Sequence, residues 1–189
     1  MLARMNSTQI IDDIFRRFRD RGHRHYGESV TEIEHALQCA TFAQRAGEAP
    51  HVVAACLLHD YGHLCHDFGE DIADLGVDAR HENIGANGLS RLFVEEVVEP
   101  VRLHVTAKRY LCWKDPGYHA GLSDASRKSL QLQGGPMTEA EALEFERHPH
   151  YEAAVRLRRY DDLGKVANMT IPDFEEFRTT LEPFVRSAK

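Results

Sequence analysis

Six residues of the 189-residue chain have the side chains and spacing to hold metal: His35, His59, Asp60, His81, His104 and Asp161. Histidine is the commonest metal ligand in proteins, and the chain carries 12 of them. His59 and Asp60 are adjacent and point about 100° apart around a helix, so they can share an ion only where helical geometry loosens. Gly62 supplies such an end. The two oxygens of Asp60 can bridge two cations, and His63 lies one turn beyond His59 on the same face. A His-Asp dipeptide alone says little, and His35 alone reads equally well as a hydrogen-bonded core histidine. The ordered set H…HD…H…H…D is harder to dismiss, because burying it without a cation leaves several polar groups unpaired at roughly a few kcal/mol each. His23, His51, His66, His119, His148 and His150 read as solvated surface or loop residues.

Such ligands, scattered in sequence, are expected in helix bundles, where inward side chains on facing helices converge. The apolar periodicity is helical almost throughout. Ile10, Ile11, Ile14, Phe15 and Phe18 mark one face of a first helix, with Ser7 as N-cap and Gly22 past its end. Ser29 to Glu32 has capping-box spacing and opens a helix ending at Gly47. Pro50 begins a third helix running to about His63, and Gly69 to Asp78 reads as a loop. Helical patterning covers His81 to Phe93, then Val94 to His104 with a kink or break expected at Pro100. Asp115 to Thr138 is a long excursion with short helical turns. Helices return at Glu139–Arg147, His150–Leu163 and 172–187, the last with Phe174, Phe177, Leu181 and Phe184 at helical spacing, capping the bundle. The expectation is one all-α domain, residues 1–189, of about seven or eight helices with its core at about 29–165.

Composition narrows the class. With 23 basic against 30 acidic residues the net charge is −7, which argues against a nucleic-acid or anionic-membrane partner. The longest unbroken apolar run is Val52 to Leu58, far short of a membrane span. The start of the chain shows no apolar secretory segment, and Cys39, Cys56, Cys65 and Cys112 form no C-x-x-C pair. Reduced thiols in a cytoplasmic protein, monomer or weak dimer, are the expectation.

The order His35, His59-Asp60, Asp161 resembles the HD-domain superfamily of metal-dependent phosphohydrolases, and His81 with His104 looks like its binuclear version. Lys108-Arg109-Tyr110-Leu111, Gln133-Gly134-Gly135-Pro136-Met137 and Arg158-Arg159-Tyr160-Asp161-Asp162 narrow the resemblance. Together they resemble the oxygenase branch of phosphonate-cleaving mixed-valent diiron enzymes, distant relatives of myo-inositol oxygenase.

That resemblance implies two irons, Fe(II) and Fe(III), with dioxygen as co-substrate. By similarity His35, His59, Asp60 and Asp161 hold one iron, and Asp60, His81 and His104 the other. Imidazole and carboxylate donors suit iron, and the smaller set leaves positions for substrate and oxygen. Lys108 and Arg158 become phosphonate clamps, Ser126 a hydroxyl donor and Gln133 a further contact. His63 contacts substrate or supports a ligand, sharing catalytic roles with Lys108, Tyr26 and Glu28. The implied reaction is O2-dependent cleavage of the carbon–phosphorus bond of a 1-hydroxy-2-(amino or trimethylamino)ethylphosphonate. The products are phosphate and glycine or glycine betaine.

One segment departs from the family pattern. Members acting on the free amine resemble Tyr-x-Gly-Glu ahead of the first ligand helix, whereas this chain reads His25-Tyr26-Gly27-Glu28. The departure, with Tyr26, Tyr110 and Trp113 as aromatic faces for a quaternary ammonium, favours the N-trimethyl substrate. Two other readings stand beside the oxygenase: an HD phosphohydrolase of a nucleotide or phosphomonoester using a metal-activated water, and a non-enzymatic helical module with a vestigial site. The charge also changes meaning under the first reading. Fe(II) with Fe(III) carries +5 and leaves the chain near about −2, so an anionic substrate is compatible with an acidic protein.

Overall fold

Local partners for main-chain donors set where the helices begin. The computed structural model describes residues 5–25, 29–66 and 79–186. Helix α1, Ser7–Arg21, is capped by Asn6 in a reciprocal box with Gln9, one residue ahead of the expected Ser7. Helix α2, Glu32–Arg45, is capped by Thr31 with Glu34 rather than from Ser29. Val30 is drawn into the core before that helix starts. Helix α3, Pro50–Leu58, has its proline in the first turn and buries every residue from Val52 to Leu58, as a central helix must.

The third helix stops earlier than its pattern suggested. His59 caps it, Asp60 takes φ −96° and ψ 13°, and a 3-10 helix follows over Tyr61–Cys65. Helix α4 covers His81–Leu89 and α5 covers Glu95–Lys114. Pro100 does not break α5. It sits in the second turn, where it forfeits one main-chain bond, while buried Val97, Val98 and Val101 hold the helix to the core.

The excursion after Asp115 contains α6, Pro116–Ala120, and α7, Asp124–Leu132. Helix α8 is Glu139–Phe145, α9 is Tyr151–Leu163 and α10 is Arg178–Leu181. The expected single helix over 172–187 is instead three short turns, with 3-10 helices at Phe174–Phe177 and Glu182–Phe184 flanking α10. Asp173 caps the first turn and Pro183 prevents a continuous ladder at the last. Phe174 still seats between Phe15 and Phe18, with ring centroids 5.2 and 5.0 Å away.

Among the described residues there are ten α-helices and no strand, only an isolated bridge between Phe93 and Val185. The all-α expectation holds with a higher helix count. The expected loop at Gly69–Asp78 lies outside the described residues. No described helix is long and apolar enough to cross a membrane. All four cysteines are free thiols.

Helix α5 rests on α3, α4 and α9, while α2 rests on α3 and α9. That arrangement turns five segments toward one point: His35 from α2, His59 and Asp60 from the end of α3, His81 from the start of α4, His104 from α5, and Asp161 from α9.

Candidate metal centre

Two glycines allow these segments to meet. A Cβ at Gly62 would stand 1.9 Å from the carbonyl oxygen of His81 and 2.9 Å from Gly85 N, so only glycine lets the Asp60 turn lie against α4. A Cβ at Gly164 would stand 2.4 Å from Cys39 Sγ. The Gly164 carbonyl thereby comes within 2.8 Å of His35 Nδ1.

That contact belongs to a pattern. His59 Nδ1 lies 2.9 Å from the carbonyl of Cys56, and His104 Nδ1 lies 2.7 Å from that of Val101. A carbonyl can only accept, so each Nδ1 carries a proton and each Nε2 faces the centre. The Nε2 atoms then come in pairs: His35 and His59 at 3.1 Å, His81 and His104 at 3.1 Å. Two lone pairs so close repel unless a proton or metal ion lies between them. About 3 Å is also the edge between neighbouring nitrogen ligands of one ion at about 2.1 Å.

Asp60 divides between the two pairs. Its Oδ2 is 3.2 Å from His59 Nε2 and 3.5 Å from His35 Nε2. Its Oδ1 is 3.3 Å from His81 Nε2 and 3.6 Å from His104 Nε2. Asp161 joins the first pair only, at 3.4 Å from His35 and 4.0 Å from His59. The nitrogen and oxygen donors thus fall into a set of four and a set of three sharing one carboxylate, an arrangement with room for two metal cations.

The electrostatics agree. Burial pushes the Asp60 carboxyl up, yet His59, His81 and His63 together hold it well below the usual carboxylate range. Burial resists charge on His59 too, but Asp60 and Asp161 raise it to about 9. A proton therefore occupies the His59 Nε2 position, and a metal ion binding there displaces it. His104 goes the other way, to about 3, through burial and then His81. Its Nε2 is a bare lone pair at neutral pH.

Cys39 and His63 also lie within ligand distance of these groups. Burial and the Asp161 carboxylate hold the Cys39 thiol protonated, and Sγ sits nearer His35 Nδ1 (3.7 Å) than Nε2 (3.9 Å), behind the ring. His63 stacks on His81 with centroids 4.2 Å apart and planes 15° apart, fixing the orientation of that imidazole.

Beside Asp161 lies a buried cationic cluster. Buried Arg158 donates to Asp161, Asp162, Tyr118 Oη at 3.0 Å and Ser126 Oγ at 3.4 Å. Buried Lys108 donates to Ser129 Oγ at 2.7 Å. Burial, then Arg158, brings the Lys108 ammonium down to about 7. Gln133 ends α7, and its buried Oε1 has no hydrogen-bond partner among the described residues. His25 is exposed, while Tyr26 and Glu28 lie outside the described residues.

Of the histidines read as solvated, His66 is instead buried, edge-on to His63 at 5.8 Å between centroids. The short 3-10 helix folds it back beneath the turn. Sequence reasoning also missed Ser129, Lys165 and Glu32. Glu32 is buried, and its carboxyl is raised well above the usual range by burial, then by Asp60 and Asp161. Its position three residues before His35, one helical turn, was the available signal.

Comparison with known proteins places the chain. Residues 33–153 match the HD domain family. Over 173 residues the chain is 44% identical to the hydroxymethylphosphonate dioxygenase of Gimesia maris, spanning 91% of this chain and 86% of that protein. Over 185 residues it is 40% identical to the 1-hydroxy-2-(trimethylamino)ethylphosphonate dioxygenase (glycine-betaine-forming) of Leisingera caerulea, spanning 97% and 94%. The chain belongs to the HD-domain phosphonate dioxygenase family. An uncharacterized protein of Acanthamoeba polyphaga mimivirus is 35% identical over 163 residues, spanning 85% of this chain and 74% of that protein. As a family member the chain is an oxygenase whose catalysis depends on metal and dioxygen, and the motifs at Lys108, Gln133 and Arg158 lie within the stretch shared with both named relatives.

Proposed function

We propose that this oxygenase cleaves the carbon–phosphorus bond of a 1-hydroxyphosphonate at a mixed-valent diiron centre. His35, His59, Asp60 and Asp161 hold one iron; Asp60, His81 and His104 hold the other. The observation that carries the reading is the division of Asp60, with Oδ2 toward one histidine pair and Oδ1 toward the other. When bound, the irons supply a means of activating dioxygen toward a carbon–hydrogen bond.

The chain's own residues do the rest. Lys108 and Arg158 bind the phosphonate as charge-assisted donors, with the Ser126 hydroxyl beside Arg158. Arg158 at the same time orients Asp161. Gln133 Oε1 accepts a hydrogen bond from a donor on the ligand. His63, kept neutral by burial and then by His81, holds the His81 ring and faces the substrate without adding a positive charge. Tyr26 and Glu28, with His25, take the 2-substituent. The burial of Lys108, Ser126 and Arg158 keeps bulk water from these contacts and strengthens them.

The stoichiometry closes without an external reductant: R–CH(OH)–PO3H2 plus O2 gives R–COOH plus H3PO4. The N-trimethyl compound, giving glycine betaine, is the proposed substrate, with the free-amine compound and hydroxymethylphosphonate as competitors. The protein is proposed to act in the cytoplasm as a monomer or weak dimer, without a nucleic-acid partner. The test is anaerobic loading with iron, followed by addition of each 1-hydroxyphosphonate with and without O2. Oxygen-dependent phosphate release with one O2 consumed per phosphate supports the proposal. Phosphate release without oxygen, driven equally by Mn or Mg, marks a phosphohydrolase and sinks it. A kcat/KM ratio near one between the N-trimethyl and free-amine compounds removes the specificity role of His25 and Tyr26.

A further inference from the structure

Tyr118 joins the excursion after α5 to α9. Asp115 caps α6 by accepting from Gly117 N–H at 2.9 Å, and Pro116 suits its first turn. The Tyr118 ring packs against two apolar groups, one containing Leu111 and Met137, the other Leu122 and Leu130. A ring so wedged delivers its hydroxyl to a fixed place beside α9. There Oη accepts from Arg158 Nε at 3.0 Å and donates to Asp162 Oδ2 at 2.5 Å. Burial pushes the Tyr118 hydroxyl up, so it keeps the proton that it donates.

Arg158 is spread over three anchors and one looser contact. Nε meets Tyr118, Nη1 meets Asp161, and Nη2 meets Asp162 Oδ1 and, at 3.4 Å, the Ser126 hydroxyl. Asp161 and Asp162 belong to α9 itself, whereas Tyr118 braces the fork from another element. A guanidinium is planar and rigid, so a fixed Nε sets the plane in which both Nη nitrogens lie. Because Tyr118 also donates to Asp162, the three groups close a ring of hydrogen bonds. Part of the Asp162 charge is then met by the phenol rather than by Arg158. The contact easiest to exchange is the long one from Nη2 to Ser126, and both of those residues are buried.

We propose that Tyr118 is a positioning residue of the phosphonate subsite. Its hydroxyl fixes the plane of the Arg158 guanidinium and shares Asp162 with it, so that Nη2 is presented, beside Ser126, to a tetrahedral dianion. The identity of the anion rests on the oxygenase reading, but its binding is measured without turnover.

The experiment titrates the iron-loaded, full-length protein with inorganic phosphate under anaerobic conditions, comparing wild type with Tyr118→Phe and Tyr160→Phe. Phenylalanine keeps the ring in its apolar surroundings and removes only the oxygen. Tyr160 lies on α9 and donates to Glu48 at 3.0 Å, so its variant loses a tyrosine–carboxylate bond from the same helix without touching Arg158. Tyr118→Phe is expected to weaken phosphate binding about tenfold, with Tyr160→Phe changing it by less than about twofold and iron content constant. In turnover, KM for the 1-hydroxyphosphonate should rise by a similar factor while kcat changes by less than about twofold. Unchanged phosphate affinity in Tyr118→Phe, a loss no larger than in Tyr160→Phe, loss of iron from Tyr118→Phe, or a fall confined to kcat would each overturn the proposal. Failure of the oxygenase reading would show separately, as absent oxygen-dependent turnover in the wild type, and the phosphate comparison would still decide the role of Tyr118.

Discussion

Gly62 lies so close to His81 that a Cβ on residue 62 would stand 1.9 Å from the His81 carbonyl oxygen. The obstacle is main chain, which cannot rotate away as a side-chain tip could. Gly62→Ala therefore forces the Asp60 turn away from α4 and separates Asp60 from His81. The expected outcome is a fall in stability on the order of 1–3 kcal/mol and a larger relative loss in the site. Iron content should drop toward one per chain while far-ultraviolet circular dichroism stays helical. Two tightly held irons in Gly62→Ala would show that the approach is not needed.

Gly164 makes the second close approach, and here the obstacle is a side chain. A Cβ at 164 would meet Cys39 Sγ at 2.4 Å and push the Gly164 carbonyl off His35 Nδ1. Gly164→Ala should weaken iron retention, and adding Cys39→Ala to the same chain should restore much of it by removing the obstructing sulfur. A double variant as poor as Gly164→Ala alone would mean that the strain lies elsewhere.

The anion site should carry a pH signature. Burial, Arg158 and Lys165 bring Lys108 from its ordinary 10.5 to about 7. Protonated Lys108 attracts the phosphonate, so the free enzyme's kcat/KM should be full below about pH 7 and fall as pH rises through that value. Lys108→Met should lower kcat/KM about 100-fold and remove that descending limb. A limb that persists in the variant belongs to another group.

Much of this centre was legible in the sequence, for identifiable reasons. Metal-type residues on helical segments need no particular register to be recognised, so His35, His59, Asp60, His81, His104 and Asp161 stand out before the fold is known, and the structure brings all six together. Gly62 does not end α3, which stops at Leu58; it lies inside the 3-10 helix that follows, where its missing Cβ lets the turn approach α4. Tertiary forces hid the rest. Pro100 looks like an interruption, but the helix around it is buried on three sides. The turns over 174–184 have helical spacing, yet the first is capped by Asp173 and buries Phe174 and Phe177, α10 buries Leu181, and Pro183 opens the last. His66 and Lys165 carry polar side chains that look solvated in sequence, and only the folding-back of the chain after Asp60 and after Asp161 brings them inward.

The sharing of Asp60 by two ions is the central claim, and spectroscopy on the half-reduced iron-loaded protein reaches it most directly. The wild type should hold two irons per chain and show the EPR signal of a spin-coupled Fe(II)/Fe(III) pair. Asp60→Asn keeps the shape but replaces one oxygen by an amide nitrogen with no lone pair to give, and should abolish the coupled signal. Wild-type protein with one iron per chain, or an undiminished coupled signal in Asp60→Asn, would contradict it.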